Sequence, residues 1–249
     1  MTRTLKLVIE YDGTDYLGWQ IQARGPTVQG VLEEKLALIT SERPRITASG
    51  RTDAGVHALN QVAHFKTENQ IDVSSLQRAL NSLLPPDIVV KKIEEVEDDF
   101  HARRNARGKI YVYQILNRPL RSPFHRKTAW HIPQKLDVEE MKKASHHLLG
   151  EHDFSSFRSV GSPTRSPVRK VHRAEWKKGR DGLLRFEIGA TGFLKQMVRA
   201  IVGTLVEVGR GRMTADDLAR ILQSKDRREA GPTAPALGLF LKEVKYKGS

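Results

Sequence analysis

The chain has 249 residues, 39% of them hydrophobic, which is too apolar for a disordered polypeptide and long enough for one large domain or two ordinary ones. It contains no cysteine, so disulfides, thiolate nucleophiles, iron–sulfur clusters and Cys-based zinc sites are excluded together. Its formal net charge is +13 and its sequence pI about 10.0, the balance expected of a nucleic-acid partner. No apolar run approaches the roughly 18 residues of a membrane helix. Met1-Thr2-Arg3-Thr4 runs straight into a strand-like segment, so no signal peptide is expected and the protein reads as soluble, cytoplasmic and free of membrane.

Leu5, Leu7, Ile9 and Tyr11 alternate with Lys6, Val8 and Glu10, the period of a strand, and Asp12-Gly13 closes it in a turn. Thr27 is placed to N-cap a helix with Val28, Val31, Leu32, Leu36 and Ile39 on its buried face, although Gly30 weakens the first turn. A loop over Ser49–His57 leads to a second strand at Gln61–Lys66. A helix over Ser74–Leu84, stopped by Pro85-Pro86, and a third strand at Ile88–Val96 follow.

The second half opens with a strand over Lys109–Asn117 that puts Tyr111, Tyr113 and Ile115 on one face. A helix is predicted at Val138–Leu149, then strands at Val171–Lys177 and Leu184–Ala190 paired across a Gly179–Gly182 turn. An apolar helix at Phe193–Val208, a helix at Ala215–Gln223 and a terminal strand at Leu239–Tyr246 complete the chain. Hairpins intermingled with helices in each half predict an α+β fold. Two related split β-α-β-like subdomains, residues 1–106 and 107–249, are expected to form a continuous mixed, mostly antiparallel sheet flanked by helices.

The positive charge is unevenly placed. No acid lies between Asp99 and Asp137, a stretch holding Arg103, Arg104, Arg107, Lys109, Arg118, Arg121, Arg126, Lys127 and Lys135. A second acid-free stretch, between Asp153 and Glu175, holds Arg158, Arg165, Arg169, Lys170 and Arg173. The remainder of the chain is close to neutral. A groove that tracks phosphates requires such concentration; a pair of solvated loops would also produce it.

Gly50-Arg51-Thr52-Asp53-Ala54-Gly55-Val56-His57 has no hydrophobic period, so it reads as a loop whose small residues allow close approach to a ligand. A nucleophile or general base must be ionised, and a guanidinium nearby favours that form. On spacing alone Asp53 reads also as an Asx-turn residue, the commoner role of an aspartate between small residues.

The run Gly50–Ala58 resembles the signature loop of the tRNA pseudouridine synthase A family, and further segments are similar in order along the chain. Glu10-Tyr11-Asp12-Gly13 with Gly18-Trp19-Gln20 resembles the family's first strand and turn. Asp99–Arg103 resembles an RNA-contacting segment, and Lys109–Tyr113 a Tyr-x-Tyr strand. Leu148–Phe154 with Ser156-Phe157-Arg158, Met197–Gly203 and Gly238-Leu239 complete the set.

The resemblance implies a pseudouridine synthase fold and the isomerisation of uridine to pseudouridine at positions 38, 39 and 40 of the tRNA anticodon arm. It implies no cofactor and no metal, and a homodimer. Asp53 would be the essential carboxylate, attacking ribose, attacking base or removing a ribose proton. The target base would be flipped from its stem. Arg51 would hold the flipped nucleotide or fill its place, Tyr111 would stack on the uracil, Arg199 would pair with Asp53, and Leu239 would wall the pocket. Phe100, His101, Ala102, Arg103 and Arg104, with Gly161, Ser162, Pro163, Thr164 and Arg165, would touch tRNA. A catalytically idle RNA-binding module, a nucleoside hydrolase and a synthase for other RNA sites are the alternatives.

Overall fold

The computed structural model describes residues 2–159 and 166–247. The chain folds as two compact units, Met1–Arg107 with Phe240–Ser249, and Gly108–Leu239. The first unit contains β1 (Arg3–Tyr11), α1 (Val28–Thr40), β2 (Thr47–Ala48), β3 (His57–Thr67), α2 (Val73–Leu83) and β4 (Ile88–Val96). The second contains β5 (Gly108–Asn117), β6 (Trp130–Ile132), α3 (Val138–His146), β7 (Gly150–Asp153), β8 (Val168–Lys178), β9 (Leu183–Ala190), α4 (Met197–Gly209) and α5 (Ala215–Ser224). The terminal strand β10 (Leu239–Lys245) runs in the first unit from its second residue on.

In the first unit β1 lies between β4 and β3, antiparallel to both, and β2 runs antiparallel along the far side of β3. This is the split β-α-β arrangement with its second strand cut to two residues. Leu5, Leu7 and Ile9 of β1 are fully buried, as are Leu32 and Leu36 of α1 and Leu76 and Leu80 of α2. Each such side chain contributes roughly 1.5–3 kcal/mol by leaving water. Thr27 caps α1 as expected, its hydroxyl accepting from the Gly30 amide at 3.2 Å. The buried face differs from the expected one. Val31 and Ile39 are only half-buried, while Gln29 turns inward because its amide donates to the Ile46 carbonyl at 3.1 Å.

In the second unit β5, β9, β8 and β7 follow one another antiparallel, and β6 runs parallel to the end of β5. In chain order β5, α3, β8, β9 and α4 repeat β1, α1, β2, β3 and α2, with the same strand adjacency. The halves are therefore related in topology, both α+β. The sequence reading placed residues 240–249 with a second subdomain; they group instead with the first unit. The reason is pairing: Phe240 and Leu241 align parallel to His57 and Ala58 of β3, and the Tyr246 hydroxyl donates to the Ala102 carbonyl at 2.7 Å.

The apolar helix expected from Phe193 starts four residues later, at Met197. Gln196 takes a left-handed conformation (φ 61°), which ends any helical run through it and leaves Phe193 in the irregular segment before the helix. Helix α3 stops at His146 rather than Leu149. The short strands β2, β6 and β7 were not anticipated, since two to four residues carry no readable period.

Candidate active site and RNA-facing segments

The Gly50–His57 loop is clamped by neighbours from β1 and the segment after it. The Thr52 hydroxyl meets the Tyr11 hydroxyl at 2.8 Å, and the Thr52 carbonyl accepts from the Trp19 amide at 3.1 Å. The Gly55 amide donates to the Tyr16 carbonyl at 3.3 Å, and the Val56 amide to the Asp53 carbonyl at 3.1 Å. Ser49, fully buried, donates to Gln61 of β3 at 2.8 Å. A register shift between Ile9 and Tyr11 in the β1–β3 ladder aims Tyr11 at the loop, a common use of a bulge beside a site. Burial pushes the Tyr11 phenol up to about 12, so it stays a neutral hydroxyl. The loop is thus held by main chain, by Thr52 and by His57, whose Nδ1 accepts from the Gly13 amide at 3.1 Å. Asp53 is half-buried and Arg51 exposed.

Gly18 explains how the clamp closes. It has φ +92°, and a Cβ there would lie 2.5 Å from the Thr52 carbonyl oxygen and 3.0 Å from the Asp53 carbonyl carbon. Gly18→Ala therefore combines a strained left-handed residue with a main-chain collision beside Asp53. The expected result is a fall in kcat of about 100-fold, the scale of a misplacement of about 1 Å, with tRNA affinity kept within a few-fold. Steady-state kinetics with unmodified tRNA check it; wild-type kcat in Gly18→Ala would show that the approach is not needed.

In the second unit Tyr111 sits on β5, 9% exposed, its ring edge-on to Phe193 at 5.0 Å and 85°. Arg199 is the exception on α4, whose other twelve residues are all buried. Its Nε donates to the Ala234 carbonyl at 2.8 Å, while the Ala234 amide returns a bond to the Arg199 carbonyl at 3.0 Å. The first bond tethers the guanidinium, and the second ties the main chain of residue 234 to α4. The Tyr113 hydroxyl donates to the Pro235 carbonyl at 2.7 Å. Burial raises the Tyr113 pKa well above the ordinary phenol range, against the pull of the Arg199 charge. Residues 231–239 are thereby strapped to α4 and β5, and the strap ends at buried Leu239.

Phe100–Arg104 forms a compact turn in the first unit, with Arg103, Arg104 and Arg107 exposed. Arg121, Arg126 and Lys135 are exposed as well, so most of the first basic stretch faces solvent. The second is less available: Arg173 is paired with Glu187 and lies 3.6 Å from Glu175. The expected tRNA contacts Gly161, Ser162, Pro163, Thr164 and Arg165 lie outside the described residues. Among the described residues no helix is long and apolar enough to cross a membrane.

A carboxylate on a main-chain-clamped loop, accompanied by a long basic tract, is the equipment of an enzyme that acts on nucleic acid. The chain belongs to the tRNA pseudouridine synthase family, whose model matches residues 7–104 and 144–247. A tRNA pseudouridine synthase A of Thermoanaerobacter sp. (strain X514) is 49% identical over 98% of this chain and 100% of its own length. The proteins of that name from Acetivibrio thermocellus and Myxococcus xanthus are 47% and 46% identical, each over 98% of this chain and over 100% and 92% of their own. Arg51, Asp53, Phe100–Arg104, Arg199 and Leu239 fall within the matched segments; Tyr111 falls between them.

Sequence reasoning missed Gly18, Phe193 and the strap residues Ala234 and Pro235. Gly18 stood inside a quoted motif, and its positive φ is what that glycine supplies. Ala234 and Pro235 act through main-chain carbonyls, which leave no trace in side-chain patterns.

Proposed function

We propose that the protein isomerises uridine to pseudouridine in the anticodon arm of tRNA, at positions 38, 39 and 40, as a homodimer in the cytoplasm. The observation that carries this is the clamped loop: it presents Asp53 on hydrogen-bonded main chain in a chain related over 98% of its length to proteins called tRNA pseudouridine synthase A. In the reaction the C1′–N1 bond breaks and a C1′–C5 bond forms. The C5 proton leaves and N1 gains one, so nothing is added and no cofactor is required.

In this reading the target nucleotide is flipped from the stem, at a cost of roughly a few kcal/mol. Arg51, exposed on the loop, fills the vacated space or holds the flipped nucleotide. Tyr111 stacks on the uracil, worth about 1–3 kcal/mol per base, and Leu239 walls the base. Arg199, its guanidinium tethered through Ala234, compensates the Asp53 charge. Phe100–Arg104 carries the RNA backbone.

Incubation with unmodified tRNA, followed by carbodiimide-blocked primer extension, tests the reading. New stops at positions 38–40 are expected. Stops elsewhere would move the substrate site, release of free uracil would make the enzyme a hydrolase, and binding without stops would leave an RNA-binding module.

A further inference from the structure

Beneath the Phe100–Arg104 turn lies a histidine to which neither the reaction nor the family motifs assign a role. His64 stands on β3, 8% exposed. Its Nδ1 accepts the main-chain N–H of Ala102 at 3.2 Å, and Ala102 is fully buried. The His64 ring meets Phe100 edge-on at 5.9 Å and His101 at 4.9 Å. On the other side of the same residue, the Ala102 carbonyl accepts from the Tyr246 hydroxyl at 2.7 Å. Lys6 lies over the Phe100 and Tyr246 rings at 5.7 and 5.3 Å, tethered to Glu94 at 2.7 Å. The turn then shapes itself: His101 Nδ1 accepts from the Arg103 and Arg104 amides at 3.2 and 3.3 Å, and the Asn105 side chain accepts from the His101 amide at 2.6 Å. The outcome is a tight turn, anchored at Ala102, that throws Arg103 and Arg104 into solvent.

We propose that His64 is a positioning residue for RNA binding: by accepting the buried Ala102 N–H it holds Arg103 and Arg104 where they meet the phosphates of a tRNA. The inference rests on the reading that Phe100–Arg104 touches tRNA. A buried N–H that loses its acceptor is costly, so the turn would rearrange if the acceptor were removed. The His64 Nδ1 also lies 3.2 Å from the Thr47 carbonyl, and one nitrogen cannot donate there while accepting from Ala102. The neutral imidazole with its proton on Nε2 serves Ala102; a protonated ring would turn Nδ1 toward Thr47. Burial, followed by the charge of His101, lowers the His64 pKa below the ordinary imidazole value, despite the Thr47 carbonyl. The ring is therefore neutral at neutral pH, and the Ala102 N–H aimed at Nδ1 selects the tautomer that carries its proton on Nε2. A cleft of about 420 Å³ beside His64 is lined by Arg43, Arg45 and Lys66 against a single acid, Glu42, so this face carries net positive charge as well.

The test compares two substitutions of equal shape in the full-length protein. Asparagine carries an acceptor close to the place of Nδ1, whereas leucine matches asparagine in shape and carries none. His64→Leu is expected to raise Kd and KM for unmodified tRNA by about tenfold while kcat stays within two- to threefold; His64→Asn is expected to stay within about threefold of wild type. Equal affinities in the two variants, or a loss confined to kcat, would overturn the inference. Tyr246→Phe, which releases the other side of Ala102, provides the second arm should His64→Leu fail to fold. It is expected to weaken tRNA binding about threefold, and wild-type affinity in it would also overturn the inference. Arg104→Ala separates the two levels of the argument: it is expected to weaken binding and to reduce the salt slope by about one unit. Unchanged affinity in Arg104→Ala removes the reading beneath and this inference with it; weakened affinity there beside wild-type affinity in His64→Leu removes this inference alone.

Discussion

Asp53→Asn is expected to lower the rate of pseudouridine formation by at least about 10³-fold and to leave tRNA affinity within a few-fold of wild type. Attack on the ribose, attack on the base and removal of a ribose proton all need a charged carboxylate, and asparagine keeps the shape while removing the charge. The loop itself should survive, because several of the bonds that clamp it do not involve the Asp53 carboxylate: the Trp19 amide to the Thr52 carbonyl, the Gly55 amide to Tyr16, Tyr11 to the Thr52 hydroxyl, and the Gly13 amide to His57. Single-turnover release of tritium from tRNA labelled at uracil C5 measures the chemistry, and filter binding measures the affinity. A variant retaining a tenth of the wild-type rate would end the assignment of Asp53 as the essential group. A collapse in affinity instead would make the residue a part of RNA binding.

Gly203→Ala is expected to be the most destabilising single-methyl change in the second unit. Within an exposed helix a glycine-to-alanine change gains about 1 kcal/mol. Here the sign reverses, because a Cβ on Gly203 would lie 1.6 Å from the Pro232 carbonyl oxygen and 2.8 Å from its carbon. Main chain cannot rotate aside as a side chain can. Overpacking of this kind costs about 3 kcal/mol, which lowers Tm by roughly 6–12 °C in a chain of this length. The strap that must move carries Ala234, which exchanges two bonds with Arg199, and Pro235, which accepts from Tyr113. Activity should fall along with stability. Calorimetry that finds Gly203→Ala as stable as wild type would show that the strap is free to shift.

Long elements were legible because their apolar residues repeat. The alternation through Leu5, Leu7 and Ile9 marks β1, and all three are fully buried. Thr27 and Pro85-Pro86 bracket helices by capping and by a missing N–H, effects that act within a few residues. Boundaries set by distant partners were not legible. Helix α4 has an apolar period that extends back to Phe193, yet Gln196 at φ 61° breaks it, and only then does Phe193 stand edge-on to Tyr111. Strand β2 exists because β3 offers His64 and Ala63 as pairing partners, not because Thr47-Ala48 is strand-like.

The candidate site divides along the same line. Asp53 was visible as a carboxylate among small residues, and the order of the surrounding motifs already pointed to a pseudouridine synthase, a family to which the chain belongs. Arg199 could be suspected because a charge on an apolar helix needs a reason. The sequence by itself determined the periodicity, the turn chemistry, the absence of thiol chemistry and the uneven placement of charge, all of which depend on residue type and short spacing. Only the tertiary structure decided which main-chain groups hold those residues: Thr52 against Tyr11 and Trp19, Arg199 against Ala234, Ala102 between His64 and Tyr246. Every residue carries the same carbonyl and nearly every one the same N–H, so a bond made through them is chosen by the fold's close approaches and not by the side chain.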